Sequence, residues 1–132
     1  RYYCIYNIPY EEFECTEKFD VALTSPPYYD TEHYSDEETN SFNRYTSFDS
    51  WVDGFYTPLI MKTVDFIKDN GVFILNVGDR KYPLSDKLVE ICDANGLYHS
   101  RVHDYLRGMG ENKEKFYCVS KKRMLLRQRS LF

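Results

Sequence analysis

The order of apolar segments predicts an α/β fold with a mostly parallel sheet whose last two strands form an antiparallel hairpin. Two observations carry this prediction. Short apolar runs of strand length recur along the 132 residues, and stretches with apolar residues at helical spacing lie between the later runs. The resulting order is strand, strand, helix, strand, helix, strand, strand, in which helices connect parallel strands and a short turn joins the final pair.

The first two strands are predicted near the N-terminus. Tyr2–Tyr6 is a short aromatic and apolar run that Asn7-Ile8-Pro9 interrupts, as a strand end would. Phe19–Thr24 has the continuous apolar character of a central parallel strand that is buried on both faces. We therefore expect Phe19–Thr24 in the interior of the sheet.

A long helix and a third strand follow. From Phe48 to Asp69, apolar residues recur at helical spacing, and Pro58 should begin a new turn or kink the helix. Asn70-Gly71 is a stop signal, which predicts that the helix ends there. Val72–Val77 then has the composition of another buried strand.

The second helix has clear signals at both ends. Ser85 is predicted to cap its N-terminus, with Leu84 and Val89 as a hydrophobic staple. Asn95-Gly96 is predicted to end it.

Two closing strands complete the predicted sheet. They are Leu97–Leu106 and Phe116–Ser120, joined by a turn at Gly108-Met109-Gly110.

Length and composition predict one domain, because a single core usually serves roughly 100 to 200 residues. The thirteen Tyr and nine Phe are mostly expected to pack at the edge of the core. Cysteines 4, 15, 92 and 118 lack metal-binding spacing, so we expect reduced, mostly buried thiols and no metal site. Without a membrane-span or signal-peptide pattern, an intracellular protein is expected, in the cytoplasm and of bacterial or viral origin.

Charge is distributed unevenly. Residues 1–60 carry three basic and twelve acidic side chains, whereas the rest of the chain has more basic than acidic ones. Residues 121–132 form a basic tail without any acidic residue. Such a tail could lie along nucleic-acid phosphates or simply remain solvated, and the sequence leaves both interpretations open.

The segment Ser25-Pro26-Pro27-Tyr28, here the Ser-Pro-Pro-Tyr motif, directly follows the predicted strand Phe19–Thr24. Open α/β sheets bind ligands beyond the carboxyl ends of their strands, so the motif lies where a ligand is expected. Each proline fixes φ and lacks an N–H, which leaves backbone carbonyls without a competing donor. A hydroxyl, two such prolines and an aromatic ring together suit the binding of a planar amino group.

The motif and its surroundings resemble the C-terminal half of the DNA amino-methyltransferases that use S-adenosyl-L-methionine (SAM). In that family Asp, Asn or Ser, then Pro-Pro and an aromatic residue, follow a strand. The similarity extends over Lys18–Asp30, Tyr34, Tyr45, Trp51 and Gly71–Asp79.

This resemblance implies a partial Rossmann-like methyltransferase fold, with its typical reversed last strand. Residues 1–120 would be the C-terminal half of the catalytic domain, and residues 121–132 a basic tail. The implied activity is methyl transfer from SAM to the exocyclic amino group of a flipped cytosine (N4) or adenine (N6) in DNA. Ser at the first motif position favours cytosine N4, since Asp or Asn is commoner in the adenine enzymes.

The chemistry explains the catalytic residues that the resemblance implies, which are Ser25, Pro26, Pro27 and Tyr28. The amino nitrogen is a poor nucleophile because its lone pair is conjugated with the ring. Hydrogen bonds from its N–H groups to Ser25 Oγ and the Pro26 carbonyl would expose that lone pair and stabilise the charge that develops on nitrogen. Tyr28 would stack on the flipped base.

Further contacts are implied less directly. Asn7, Thr24 and Ser25 are the expected contacts to SAM. The expected contacts to DNA lie in the long loop after the motif, whose segment Asp30–Ser47 is polar, and are Tyr29, Tyr34, Arg44 and Tyr45. Asp79 follows the third strand and could line the cleft or bond the next turn.

The chain also departs from the family. No glycine-rich loop that would hold SAM precedes the Ser-Pro-Pro-Tyr motif, and none follows in the tail. We therefore expect a processed or partial enzyme, beginning at Arg1, that needs a missing N-terminal segment or a complementing chain. The alternatives are a catalytically inactive methyltransferase-like module in a larger assembly and an unrelated α/β binding protein. An exposed sheet edge would also permit self-association.

Overall fold

A computed structural model describes residues 3–33, 35–102 and 114–123, which form a mixed α/β structure. The strands are β1 (Phe19–Thr24), β2 (Ile67–Gly78), β3 (Tyr98–Val102) and β4 (Glu114–Ser120). The α-helices are α1 (Ser41–Arg44), α2 (Phe48–Trp51), α3 (Thr57–Phe66) and α4 (Leu84–Ala94). Two 3-10 turns occupy Tyr10–Glu12 and Tyr29–Thr31, and a π-helix at Val52–Tyr56 joins α2 to α3. None of the described helices is long and apolar enough to cross a membrane.

The sheet has the order β1-β2-β4-β3. The α/β class is confirmed, and β3 and β4 pair antiparallel as predicted, although the predicted turn at residues 108–110 lies outside the described part of the chain. The mostly parallel sheet is wrong, because only β1 and β2 pair parallel. The physical reason is that β4 lies between β2 and β3 and opposes both, although β1, β2 and β3 all run in one direction.

The predicted strand Tyr2–Tyr6 is wrong, since residues 3–9 contain no strand. Tyr3 and Ile5 are 88% and 87% exposed. The chain that follows is instead fastened to α3, where the Tyr10 hydroxyl and Thr63 Oγ1 lie 2.6 Å apart. Lys62 Nζ also donates to the carbonyl of Glu11 at 2.5 Å. These contacts hold the N-terminal segment against a helix and away from the sheet.

Strand β1 has its predicted bounds, but its predicted interior position is wrong. It is an edge strand that pairs with β2 alone among the described residues. Val21 and Leu23 are 56% and 69% exposed, because the described chain places no strand beside them and no layer over them.

Residues 48–66 form one helical stretch whose inner face is aromatic and aliphatic. Trp51, Tyr56 and Ile60 are fully buried there. Helix α3 begins at Thr57, one residue before Pro58, which agrees with the predicted new turn. The stretch packs on the side of the sheet that carries the buried β2 residues Phe73, Leu75 and Val77.

The predicted helix stop at Asn70-Gly71 is wrong, because the helix ends at Phe66 and β2 begins at Ile67. Residues 68–71 form a bulge in β2, since Phe19 pairs with Ile67 while Val21 pairs with Val72. A Cβ atom on Gly71 would lie 3.0 Å from backbone oxygens of β1. Glycine at position 71 therefore allows the two strands to approach closely without displacing the backbone of β1.

Helix α4 ends at Asn95-Gly96 as predicted, and Gly96 adopts φ 66°. The predicted Ser85 cap is wrong. Asp79 Oδ1 accepts the Ser85 N–H at 2.8 Å, while Asp79 Oδ2 accepts Lys115 Nζ at 2.5 Å. The Asp79 carboxylate, in the loop between β2 and α4, takes the capping role because it is charged and reaches both donors at once.

The cysteines are all free, as expected, but "mostly buried" is wrong because only Cys92 is buried. Burial raises the pKa of the Cys92 thiol to about 11, which makes it unreactive at neutral pH. Cys4 is exposed, in the segment that lacks a strand.

The start of the basic tail contacts the β2 bulge. Lys121 Nζ donates to the Ile67 carbonyl at 2.8 Å, and Lys122 Nζ pairs with Asp69 at 2.8 Å. The hydrogen bond from Lys122 lowers the pKa of Asp69. Residues 124–132 of the tail lie outside the described part of the chain.

Gly54→Ala should destabilise the protein when position 45 is tyrosine and stabilise it when position 45 is alanine. A Cβ on Gly54 would lie 2.1 Å from the Tyr45 ring, whose hydroxyl donates to the Gly54 carbonyl at 2.7 Å. We expect a loss of about 1–3 kcal/mol in the wild-type background. In a Tyr45→Ala background the same change should stabilise by up to about 1 kcal/mol through helix propensity. Urea denaturation of the four proteins measures both values, and destabilisation in both backgrounds would contradict the contact.

Asp79→Asn should destabilise the protein by about 1–2 kcal/mol at pH 7 through loss of the charged cap. Partial burial alone would raise the pKa of Asp79, but hydrogen bonds from Lys115 and Ser85 outweigh it and lower this pKa. A lowered folded-state pKa stabilises the fold above the ordinary carboxyl pKa of about 4, and that stabilisation is lost as pH falls through the folded-state value.

The difference between wild type and Asp79→Asn should therefore shrink below about pH 4 in urea denaturation. Asp86→Asn is the matched control, because Asp86 is an exposed acid in the first turn of the same helix. An equal pH dependence in both variants would contradict the capping role of Asp79.

Candidate functional site

The Ser-Pro-Pro-Tyr motif lies at the carboxyl end of β1, beside the carboxyl half of β2. Thr24, the last residue of β1, pairs with Leu75 in the parallel register. The next residues of the two strands are Ser25 and Asn76, which the same register places side by side. Strand pairing thus brings a serine from the motif to a polar residue that the motif itself does not contain.

Two hydroxyl groups of the motif converge on one oxygen. The Tyr28 hydroxyl donates to Asn76 Oδ1 at 2.8 Å in a buried hydrogen bond. Ser25 Oγ donates to the same oxygen across a longer 3.4 Å. Because Ser25 directs its only hydrogen to Asn76, the lone pairs of its Oγ remain to accept a hydrogen bond from another group.

Asn76 is a site residue that the sequence reasoning missed. It is 8% exposed within the strand segment Val72–Val77, which is otherwise apolar. A buried amide is costly unless its polar atoms are hydrogen-bonded, so a lone asparagine in such a strand signals a specific partner. That signal was present in the sequence.

The other motif residues differ in accessibility. Ser25 is exposed, Pro27 is half-buried and Pro26 is buried. Tyr28 is only 4% exposed and belongs to the hydrophobic core. The Tyr28 ring, predicted to stack on a base, therefore packs inside the protein in this structure.

A cleft of about 480 Å³ adjoins the motif, within the range of small-molecule sites. Its polar wall is the segment from Thr24 to Pro27, and its apolar wall comes from β1, α3 and the first 3-10 turn. Predicted SAM contacts Thr24 and Ser25 lie together here, whereas Asn7 is an exposed residue outside the cleft lining. The apolar lining side chains include Tyr10, Phe13, Leu59 and Phe66.

Tyr29 follows the motif with a left-handed backbone, φ 55°, which costs a non-glycine residue about 1–2 kcal/mol. Its buried ring provides the compensation by contacting four other aromatic rings at centroid distances of 5.2 to 5.9 Å. These rings belong to Phe42, Phe48, Trp51 and Tyr82. Tyr29 is therefore placed to turn the chain and fill the core.

The other predicted DNA contacts are also engaged within the chain. Arg44 pairs with Glu11 at 2.5 Å and with Glu12 at 3.4 Å. Tyr45 lies against Gly54, as described above. Tyr34 lies outside the described residues. The structure thus brings Thr24, Ser25 and the prolines together at one cleft and directs Arg44 and Tyr45 to internal contacts.

Polar groups without partners occur in the 3-10 turn after the motif. One carboxylate oxygen of Asp30 binds Lys81 Nζ at 2.5 Å. Its other oxygen and Thr31 Oγ1 are buried without a hydrogen-bond partner among the described residues. Within that same part of the chain, no group of three or more His, Cys, Asp or Glu could hold a metal ion.

The residues described do not form a complete SAM site. Gly54 lies in the π-helix and Gly71 in the β2 bulge, so neither forms a loop between a strand end and a helix. Gly78 precedes Asp79, whose carboxylate is occupied by α4 and Lys115. Asp79 therefore bonds the next turn, which is the second of its two predicted roles.

A scan against protein-family models and searches of curated proteins and of solved structures found no match to this chain. The resemblance to the amino-methyltransferases therefore rests on the quoted residues alone.

Proposed function

We propose that this chain supplies the amino-group half of a SAM-dependent DNA amino-methyltransferase. The observation that carries the proposal is the convergence of Ser25 and Tyr28 on Asn76 at the carboxyl ends of two parallel strands. This arrangement leaves an exposed serine oxygen as an acceptor beside a cleft. An amino group needs such an acceptor.

The role of Ser25 in this proposal is to accept an N–H from the target base. As the amino nitrogen becomes positively charged during methyl transfer, its N–H groups become stronger donors, so the hydrogen bond strengthens in the transition state. Asn76 makes Ser25 Oγ an acceptor toward the base, because the Asn76 side-chain oxygen accepts the hydroxyl hydrogen of Ser25. A base carbonyl would then face an oxygen without a hydrogen to donate, which favours amino groups over carbonyl groups.

The strand directions in the sheet also support the proposed family. Three strands run in one direction and the last strand opposes its two neighbours, which matches the reversed last strand of the methyltransferase fold. On this reading the chain is part of a Rossmann-like fold. Cytosine N4 is the preferred target, because Ser25 occupies the first motif position.

The cofactor half must come from other residues. Since the described glycines and Asp79 do not form a SAM site, the proposal needs a SAM-binding segment elsewhere in the polypeptide or on another chain. Residues 1–132 then contribute recognition and orientation of the amino group.

One observation favours an inactive module as the second candidate. Tyr28 is buried, and Arg44 and Tyr45 are engaged in internal contacts. Residues expected to contact a flipped base and DNA would then serve stability, and the chain would act as a binding or structural part of a larger assembly.

Ser25→Ala should lower kcat for methyl transfer by about 100-fold or more, through loss of an acceptor that strengthens in the transition state. The assay follows labelled methyl from SAM to DNA, using this chain together with the SAM-binding polypeptide that the proposal requires. Ser100→Ala on β3 is the matched control and should retain activity, since Ser100 lies far from the motif in the sheet order.

Unchanged kcat in Ser25→Ala would show that the catalytic assignment is wrong. Absence of transfer from the wild-type pair, together with a stable complex between the two polypeptides, would instead favour the inactive module.

The effects of Tyr28→Phe and Asn76→Leu on the free energy of unfolding should not be additive. Each single change removes one side of the same buried hydrogen bond and should cost about 1–3 kcal/mol. Because the second change cannot remove that bond again, the loss in the double variant should fall about 1 kcal/mol or more below the sum of the two single losses. Denaturation in urea measures this without any need for activity, and strict additivity would refute the contact.

A further inference from the structure

The apolar wall of the cleft carries a pair of hydroxyl groups, contributed by Tyr10 and Thr63. Tyr10 lies in the first 3-10 turn and is half-buried, and Thr63 lies on α3 and is buried. The Tyr10 hydroxyl and Thr63 Oγ1 are 2.6 Å apart. Thr63 Oγ1 is also 2.6 Å from the carbonyl oxygen of Leu59, one turn earlier in the helix. These two short distances fix where each hydrogen lies.

Each distance requires a hydrogen between its two oxygens, because oxygen atoms approach this closely only when one donates to the other. The Leu59 carbonyl has no hydrogen to give, so Thr63 donates to it. Thr63 has then used its only hydrogen, and Tyr10 must be the donor to Thr63. Tyr10 Oη therefore presents lone pairs, and no hydrogen, to a ligand in the cleft.

The neighbouring Lys62 does not take up these lone pairs. Its Nζ donates to the carbonyls of Glu11 and Phe13 at 2.5 and 3.2 Å, and to Glu14 Oε1 at 2.8 Å. Those bonds account for all three hydrogens of the ammonium group. Burial raises the pKa of Tyr10, so its hydroxyl stays neutral at pH 7 and keeps its hydrogen. Tyr10 Oη is thus an uncharged acceptor.

The rest of the lining suits an uncharged aromatic ligand. Among the described residues that line the cleft there is no Asp, Glu, Lys, Arg or His. Aromatic rings are contributed by Tyr10, Phe13, Phe19, Phe55, Phe66 and Phe73. On the polar wall Ser25 gives its hydrogen to Asn76, the two prolines have no N–H, and the Thr24 hydroxyl can donate or accept. A flat ring with N–H groups to donate fits these walls best.

We propose that Tyr10 is a second amino-group acceptor in this cleft, and that Thr63 is the positioning residue that orients its hydroxyl. The ligand is an amino-substituted heteroaromatic ring, which a flipped base and the adenine of SAM both provide. This ligand class rests on the proposed function, whereas the hydrogen positions rest on the two oxygen distances alone. A ring with a carbonyl group in place of the amino group would direct lone pairs at Tyr10 Oη and would be rejected.

Nucleoside binding to the chain tests the expected preference for amino groups. The probes are adenosine with inosine and cytidine with uridine, because each pair exchanges an amino group for a carbonyl group. NMR titration of the isotope-labelled chain measures the dissociation constants. In wild type, the amino member of at least one pair should bind about tenfold more tightly than its carbonyl counterpart. A preference for cytidine identifies a flipped cytosine as the ligand, and a preference for adenosine alone identifies an adenine ring.

Variants of the hydroxyl pair test the assigned roles. Thr63→Val should reduce the preference to about threefold or less, because loss of the Thr63 oxygen frees the Tyr10 hydrogen to donate to a carbonyl ligand. Thr63→Ser is the matched control, since it keeps the hydroxyl and should keep the preference. Tyr10→Phe removes the acceptor and should also reduce the preference. Circular dichroism confirms that each variant is folded.

Two results would overturn the inference. One is an equal preference in wild type and Thr63→Val, and the other is the absence of saturable binding by all four nucleosides. The nucleoside preference at Tyr10 is measured without methyl transfer, whereas the proposed function fails on the kcat of Ser25→Ala. The two failures are therefore distinguishable.

Discussion

The buried hydrogen bond from the Tyr28 hydroxyl to Asn76 Oδ1 is the constraint on which the candidate site depends. It joins the loop after β1 to the interior of β2, and the parallel register of the two strands supplies its geometry. Breaking it would take a hydrogen bond from two buried polar groups, which is costly, so the loop has one favoured position. Because Ser25 belongs to the same loop, the bond also fixes the position of the exposed Ser25, although the hydrogen bond from Ser25 itself to Asn76 is longer.

Aromatic packing supports this position from the other side. The ring of Phe48 stacks on Tyr82 at a centroid distance of 4.4 Å, and Trp51 stacks on Tyr56 at 5.3 Å. Tyr29 lies among them directly after the motif. The many aromatic residues of this chain thus serve packing first, which agrees with the expectation that most tyrosines border the core.

Local signals predicted much of the fold. The strand Phe19–Thr24 and the end of α4 at Asn95-Gly96 follow from apolar runs and a glycine stop, which depend on neighbouring residues alone. The Tyr2–Tyr6 run failed because an apolar strand needs a partner, and contacts with α3 hold the following turn elsewhere. Asn70-Gly71 failed because glycine serves close strand approach as well as helix ends.

Long-range features of the site were harder to predict. The position of the Ser-Pro-Pro-Tyr motif at a strand end follows from the residues before it. Asn76 lies 48 residues beyond Tyr28, and only strand register brings the two together. Likewise, Arg44 and Tyr45 have residue types suited to DNA, but Arg44 pairs with Glu11, 33 residues away, and Tyr45 bonds the backbone of Gly54 in the next helical stretch. Periodicity gives the elements, whereas pairing and packing decide which side chains remain accessible.

The left-handed backbone of Tyr29 has a consequence for thermal behaviour. The conformation is unfavourable by itself and persists because the ring is held among its aromatic neighbours. When heating loosens that cluster, the backbone loses the packing that compensates its strain and can return to an ordinary conformation. The direction in which the chain leaves the motif therefore depends on an intact core. Loop order and core packing should melt in a single cooperative step, without an earlier local transition of the loop.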